Sequence, residues 1–313
     1  MKAVSLFSGV GAFEFALREV GVETVLSCEV DGHCCRVLKH HYPETEVRCC
    51  DVRELSGEHV RDRHGKVDIL TAGFPCQSFS IAGKRQGFRD VVRGTLFFEV
   101  IRMADELGKP AYIFLENVKG LLSHEEGRTF GVILETLDEL GYDAEWQCVN
   151  SRDFGVPQNR ERVFVVGHLR GERTKQIFPI KGTGECPQDE EAQGKGFEIS
   201  VIGNMQDNAA RYTDECPTLT NAMGMGGGHV PMVSKIMLRD GRDNRSCLRA
   251  ARTPEIGVAG RSIRRLTPVE CQRLQGFPDD YYDGIDVSET QRYKQMGNTI
   301  TIPVLRAIFR NLV

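Results

Sequence analysis

The chain has 313 residues, 40% hydrophobic and 27% charged, with a formal net charge of −4. That length suits one large domain, or one domain carrying a smaller one, and the apolar share excludes wholesale disorder. No segment approaches the roughly 20 apolar residues of a membrane span, and the opening MKAVSLFSGVGAFEF carries an early glutamate and no cleavage pattern, so a cytoplasmic protein without membrane contact is expected.

In chain order, Ala3 to Phe7 is a short apolar run that breaks at Ser8-Gly9, and a helical pattern follows from Ala12 to Val20. Thr24 to Cys28 reads as a second strand and Gly32 to His41 as a helix. Asp51 closes a further strand. Val67 to Ala72 is a buried strand, Leu96 to Leu107 a helix, Ala111 to Leu115 a strand, Phe130 to Leu140 a helix and Arg162 to Val166 a strand. Strands alternating with helices predict an α/β fold with a Rossmann-like, doubly wound, mainly parallel sheet. Near Arg170 the periodicity fades, and the stretch to about Gly260 is polar, with glycines at Gly224, Gly226, Gly227 and Gly228. It reads as a smaller, irregular, mostly β domain. Beyond it, Leu266 to Leu274 looks helical, with Thr267 as N-cap, Pro268 at the first helical position and Glu270 three residues after the cap. Thr299 to Val313 is apolar and is expected to return to the first domain. The division expected is 1–170 plus 289–313 for the first domain, and 171–288 for the second with its hinge.

Eleven cysteines without a secretory signal read as reduced thiols. Cys34-Cys35 and Cys49-Cys50 lie near His33, His40 and His41, but zinc-ligand spacing is missing. They are read as small buried hydrophobes, and no metal is expected. Charge is unevenly spread. From Lys235 to Arg273 ten basic residues face four acidic ones, a local net of +6 in an acidic chain. That is either a polyanion footprint or a solvated face with scattered ion pairs.

Phe7-Ser8-Gly9-Val10-Gly11 follows a strand and opens a helix, as a turn that approaches a ligand closely would, or as a tight structural turn would. The dinucleotide fingerprint wants a third glycine where Glu14 stands, and a pyrophosphate is expected to sit poorly beside that carboxylate. Glu29 and Asp51 end successive strands. There a carboxylate can accept from ribose hydroxyls or from an adenine amino group, so an adenosyl ligand without phosphates, S-adenosylmethionine, fits better than NAD. Both are otherwise ordinary loop carboxylates. Cys76, in Gly73-Phe74-Pro75-Cys76-Gln77-Ser78-Phe79-Ser80, follows a buried strand at the edge where open α/β sheets keep ligands. The neighbouring Gly83-Lys84-Arg85-Gln86-Gly87-Phe88 is basic and glycine-punctuated, as a lid over a polyanion would be, and a basic setting favours the thiolate.

GFPCQSFS, ENV at Glu116 to Val118, QNRER at Gln158 to Arg162 and QMGNT at Gln295 to Thr299 together resemble the DNA (cytosine-5-)-methyltransferase family of bacterial or phage type. FSGVG at the start, RGTLF at Arg93 to Phe97 and RRLTPVECQRLQGFP at Arg264 to Pro278 match as well, in the family's order. The resemblance spans nearly all of the chain outside about 171 to 260. Ala12 departs from it, where the family commonly has a second glycine.

The resemblance implies a methyl transfer from S-adenosylmethionine, leaving S-adenosylhomocysteine, to C5 of a cytosine flipped out of double-stranded DNA. Cys76 would add to C6 as thiolate and make C5 nucleophilic. Glu116 would hold and protonate N3, with a pKa raised by burial. Arg162 would bond O2, and Arg160 would brace the site or a phosphate. Cofactor contacts implied are Phe7, stacked on adenine, with Gly9, Gly11, Glu29, Val30, Asp51, Val52, Pro75, Leu96, Asn298 and Thr299; Leu96 also reads as plain core. Ser78, Lys84, Arg85, Gln206, Thr218, Thr220, Arg239, Arg242 and Arg245 would meet DNA, with Gln206 filling the hole left by the flipped base. The variable stretch from Gly171 resembles a target-recognition region. A monomer in the bacterial cytoplasm, with a cognate restriction endonuclease as partner, completes the expectation. The rivals are a tRNA cytosine-C5 methyltransferase, which GFPCQSFS disfavours, a catalytically dead DNA-binding repressor, which intact Cys76, Glu116 and Arg162 disfavour, and an NAD-dependent oxidoreductase, which the glycine pattern disfavours.

Overall fold

In the computed structural model the described residues are 1–75, 95–182, 197–202, 212–213, 216, 218–220, 232–238, 256–258 and 261–312, of which 197–202, 212–213, 232–238, 256–258 and 261–264 are described by backbone alone. The chain forms two compact units. The first comprises Met1–Val149, Glu161–Lys181 and the residues from Val304 on; the second comprises Asn150–Arg160 and Gly182–Pro303. The sequence reading drew its lines at 170 and 289.

The first unit is built on a seven-stranded sheet in the order β3-β2-β1-β4-β5-β7-β6. Its strands are β1 (Lys2–Leu6), β2 (Glu23–Glu29), β3 (Glu46–Cys49), β4 (Ile69–Ala72), β5 (Tyr112–Val118), β6 (Tyr142–Asn150) and β7 (Glu161–Leu169). β1 runs parallel to β2 and β4, as do β2 to β3 and β4 to β5, whereas β7 is antiparallel to β5. The sheet is thus mixed, with an antiparallel strand set into a parallel one. The central strands are covered on both faces, which is why they read as continuous apolar runs: all four residues of β4 are buried.

Helices α1 (Ala12–Glu19), α2 (Gly32–His41), α3 (Gly57–His64), α4 (Leu96–Glu106) and α5 (Arg128–Leu140) connect the strands. Each of the long ones buries a single stripe, as helical spacing dictates. In α4 that stripe is Phe97, Val100, Met103 and Ala104; in α5 it is Phe130, Ile133 and Leu137. The final helix α8 (Ile302–Arg310) returns to this unit from Val304 on, as expected of the apolar tail. Its Phe309 ring lies 5.0 Å from that of Phe114 and 6.3 Å from that of Phe13.

The second unit holds a five-stranded sheet in the order β11-β12-β10-β8-β9, made of β8 (Phe197–Ile202), β9 (Tyr212–Thr213), β10 (Met232–Leu238), β11 (Ile256–Val258) and β12 (Arg261–Arg265). Its strands pair antiparallel: β10 with β12 and β8, β11 with β12, and β8 with β9. Helices α6 (Pro268–Gln275) and α7 (Glu289–Asn298) follow. At α6 the expected capping box is present: the Glu270 amide donates to Thr267 Oγ1 at 3.3 Å, and the Thr267 amide donates to Glu270 Oε2 at 2.7 Å.

Several expectations shift. Glu116 and Asn117 lie inside β5, because the strand runs on to Val118 while it pairs with β7. β6, α3 and α7 have no counterpart in the sequence reading. The paired cysteines divide: Cys34 and Cys35 are buried, but Cys49 is exposed and Cys50 half-buried, because β3 is the edge strand and ends there. Among the described residues no group of three or more His, Cys, Asp or Glu is arranged to hold a metal ion, and no helix is long and apolar enough to cross a membrane.

Candidate active site

The turn between β1 and α1 is unusual in its backbone. Phe7, Gly9 and Gly11 all have positive φ, at 55°, 56° and 90°. For phenylalanine this is a strained conformation of the kind that persists where the surroundings over-determine it. Glycine is required at 11 on two counts. Its φ suits no side chain, and a Cβ there would meet the Tyr42 ring at 2.6 Å. The Tyr42 hydroxyl in turn donates to Gly11 O at 3.0 Å. At Gly9 a Cβ would meet nothing within 4 Å among the described residues. We expect Gly11→Ala to cost about 1–3 kcal/mol of stability, from strain and overpacking together; an unchanged melting temperature would contradict the packing account.

Glu29, at the end of β2, closes over this turn. Its Oε2 accepts from the Gly9 amide at 2.8 Å and its Oε1 from the Asp31 amide at 2.9 Å. Asp31 then caps α2 by accepting from the His33 amide at 2.8 Å. Val30 beside it is 71% exposed. Asp51 caps the short 3-10 turn Val52–Glu54, accepts from the Arg53 amide at 2.9 Å and pairs with the Arg53 guanidinium at 3.1 Å. Val52 is buried in the core, and its carbonyl accepts from Arg102 on α4 at 3.0 Å. Leu96 is half-buried against the same core. Glu14 stands where a fingerprint glycine would, yet its side chain is buried. It is 1% exposed, and its Oε1 accepts from Ser27 Oγ at 2.7 Å. The expectation that its charge repels a pyrophosphate is therefore replaced, because the carboxyl is spent inside the fold.

Two strands along, β4 and β5 run side by side with Ala72 opposite Leu115. Beyond β4, Phe74 is buried with its ring 5.6 Å from that of Phe97. Asn117 Nδ2 donates to Phe74 O at 2.9 Å, and Asn117 Oδ1 accepts from the Val118 amide at 2.9 Å. Asn117, missed by the sequence reading as a site residue, thus fixes the peptide two residues before Cys76. Pro75 is exposed. Cys76, Ser78, Lys84, Arg85, Gln206, Arg239, Arg242 and Arg245 lie outside the described residues.

Glu116 meets Arg162 across the β5–β7 pair. Arg162 lies opposite Val118, and Glu116 is the diagonal neighbour on the same face. Arg162 Nε and Glu116 Oε1 are 3.0 Å apart, with side chains 15% and 12% exposed.

Arg160, only two residues from Arg162, belongs to the second unit and is buried there. Its guanidinium donates to three backbone carbonyls, Leu219 O at 2.9 Å, Gly297 O at 3.2 Å and Thr299 O at 2.8 Å. The same segment pairs with the chain around Cys216. The Asn159 amide donates to Cys216 O at 2.9 Å, the Cys216 amide to Pro157 O at 2.7 Å, and Thr218 Oγ1 to Asn159 O at 2.6 Å. Thr220 is exposed, as is Asn298, while Thr299 is buried. Further buried polar contacts join in: Gln158 Nε2 donates to Leu274 O, Gln275 Nε2 to Met296 O, and Thr301 Oγ1 to Gln275 Oε1.

Comparison with known proteins covers the whole chain. The model of the C-5 cytosine-specific DNA methylase family matches residues 1–313. The chain is 34% identical to the Type II methyltransferase M.Bsp6I of Bacillus sp. (strain RFL6), over 100% of this chain and 98% of that protein. It is 33% identical to M.HhaI of Haemophilus parahaemolyticus, over 100% and 94%. Among solved structures it resembles a Spodoptera frugiperda DNMT2 mutant, with a TM-score of 0.70 and 21% identity over 99% of this chain and 98% of that one, a likeness of fold. The chain belongs to the C-5 cytosine-specific DNA methylase family and is a DNA cytosine-5-methyltransferase.

Proposed function

We propose that the enzyme takes its methyl group from S-adenosylmethionine and delivers it to a cytosine flipped out of a short site in duplex DNA, through a temporary bond between Cys76 Sγ and C6. The reading is carried by the Glu116–Arg162 ion pair, 3.0 Å apart, whose Glu116 lies on the strand that also anchors the peptide leading into Cys76.

The thiolate adds to C6 and pushes electron density into the ring. Glu116 holds N3 and the exocyclic amine and delivers a proton to N3. Arg162, always cationic, hydrogen-bonds O2 and steadies the same charge. C5, now enamine-like, takes the methyl group, with S-adenosylhomocysteine as the leaving group; a base then removes the C5 proton, the Cys76–C6 bond breaks and the N3 proton returns to Glu116. None of these ring atoms is within reach in a stacked duplex, so the base must leave the stack.

The cofactor reading rests on donor chemistry. Among the described residues the β1–α1 turn is open above Gly9, Glu29 and Asp51 end neighbouring strands, and Val30 offers an exposed apolar face. No basic side chain stands in the turn to meet phosphate. These residues fit a nucleoside with hydroxyl and amino groups and no phosphate; when bound it supplies an electrophilic methyl group. Phe7, Gly9, Gly11, Glu29, Val30 and Asp51 would hold the adenosyl part, with Val52 and Leu96 behind them. The second unit would read the target, with Thr218, Thr220 and the arginines after Lys235 on DNA. The Type II relatives support a restriction–modification setting; in this reading the enzyme acts as a monomer in a bacterial cytoplasm, beside a cognate endonuclease.

The test is a target duplex carrying 5-fluorocytosine, because fluorine cannot leave as a proton does. A covalent enzyme–DNA complex that survives denaturing electrophoresis, forms only with S-adenosylmethionine and maps to Cys76 is the expected result. Turnover on the ordinary duplex with no trapped species on the fluorinated one would rule the adduct out.

A further inference from the structure

Glu14 is a carboxyl that the reaction above does not use, and it sits in an instructive place. The last three residues of β2 each grip a different part of the β1–α1 turn. Ser27 Oγ donates to Glu14 Oε1 at 2.7 Å. Cys28 O accepts from the Ser8 amide at 3.2 Å. Glu29 Oε2 accepts from the Gly9 amide at 2.8 Å. Ser5 and Ser27 are register partners on adjacent strands, and Ser8 Oγ lies 3.0 Å from Ser5 Oγ and 3.2 Å from Ser5 O. Three serines and one glutamate, all 5% exposed or less, thus form a polar knot directly beneath the strained turn.

A charged carboxylate is costly in such a place unless a cation or several donors meet it. Among the described residues Glu14 has Ser27 as donor to Oε1, and its buried Oε2 has no hydrogen-bond partner. Burial pushes the Glu14 carboxyl up, opposed in part by the Ser27 hydroxyl and, more weakly, by its own backbone amide and the Ser8 and Ser5 hydroxyls. An apolar residue would fill the volume more cheaply, so packing alone does not account for an acid here.

We propose that Glu14 is a positioning residue for the cofactor: buried beneath the turn, it ties the first turn of α1 to Ser27, and so sets the reach between the Gly9 amide and the Glu29 carboxylate. The inference rests on the reading that this turn and Glu29 bind S-adenosylmethionine. It also accounts for the missing fingerprint glycine. A helix that approaches β2 through a side-chain hydrogen bond does not need a bare Cα there.

Calorimetric titration of S-adenosylmethionine into the full-length protein, alongside thermal melts, tests it. Glu14→Leu keeps the volume and removes the bond, and we expect a melting temperature near that of the wild type with a Kd and KM for the cofactor weakened by about tenfold or more. Glu14→Gln can accept from Ser27 and carries no charge, and should restore the Kd to within about twofold of the wild type. Ser27→Ala leaves Glu14 in place and reads the same link where Glu14→Leu does not fold; a Kd weakened by about fivefold is expected. Wild-type affinity in both Glu14→Leu and Ser27→Ala would overturn the positioning role, as would a Gln variant as weak as the Leu one. A wild-type protein that fails to bind S-adenosylmethionine would instead remove the cofactor reading itself.

Discussion

Cys76→Ser abolishes methyl transfer, with turnover falling by on the order of 10⁴-fold or more, while S-adenosylmethionine binds within about twofold of the wild-type affinity. The asymmetry is the content of the prediction. Serine keeps the size and polarity of the side chain but cannot furnish an anion at neutral pH without a strong base beside it. Five of the eight described cysteines are poorly suited to take over as nucleophile. Burial pushes the thiols of Cys28, Cys35, Cys148, Cys216 and Cys271 up, which makes each a poorer source of thiolate. Radiolabelled methyl transfer to duplex DNA, with calorimetry for the cofactor, gives both numbers. Residual turnover above about 1% of wild type would take Cys76 out of the nucleophile's role.

Most of the first unit was legible because its strands are buried on both sides and its long helices show one apolar stripe. The elements that escaped lack those signals. β6 is the sheet's edge, with only Tyr142 and Val149 of its nine residues buried, so no apolar run marks it. α3 buries only Gly57 and Val60; its signature is its ends, Ser56 accepting from the His59 amide and Gly65 after the last turn. α7 is polar for most of its length and is likewise announced only by its cap, Ser288. The site divides in the same way. Gly11 at the start of α1 and Glu29 at the end of β2 stand at element boundaries, where the alternation of elements puts them, and Glu116 lies two residues inside the end of β5. Asn117 acts through its side chain on the backbone of Phe74, a contact between distant segments that no local pattern encodes. Motif matching also blurs roles. QNRER holds two arginines two residues apart, and only the strand pairing shows that Arg162 meets Glu116 while Arg160 is bound to carbonyls.

That difference leads to an expectation for Arg160→Ala: a loss of about 3–5 kcal/mol from the stability of the second unit. Three charge-assisted hydrogen bonds vanish together, and the carbonyls of Leu219, Gly297 and Thr299 are left to find water in a place where Arg160 itself is only 2% exposed. Lysine recovers part of the loss, because one ammonium on a flexible stem does not span three acceptors as a planar guanidinium does. With two compact units a single melting curve mixes their responses, so hydrogen exchange is the sharper measurement. Peptides covering 216–220 and 295–301 should exchange faster in the variant, with β1, β4 and β5 unchanged. An Arg160 whose main task is to hold a DNA phosphate predicts the reverse: undisturbed protection in the free protein, and a DNA affinity whose salt dependence is shallower by one phosphate contact. Since Thr218 and Thr220 flank the carbonyl that Arg160 holds, loss of that grip would also reach the proposed DNA face, and weaker DNA binding would then follow from a loosened turn.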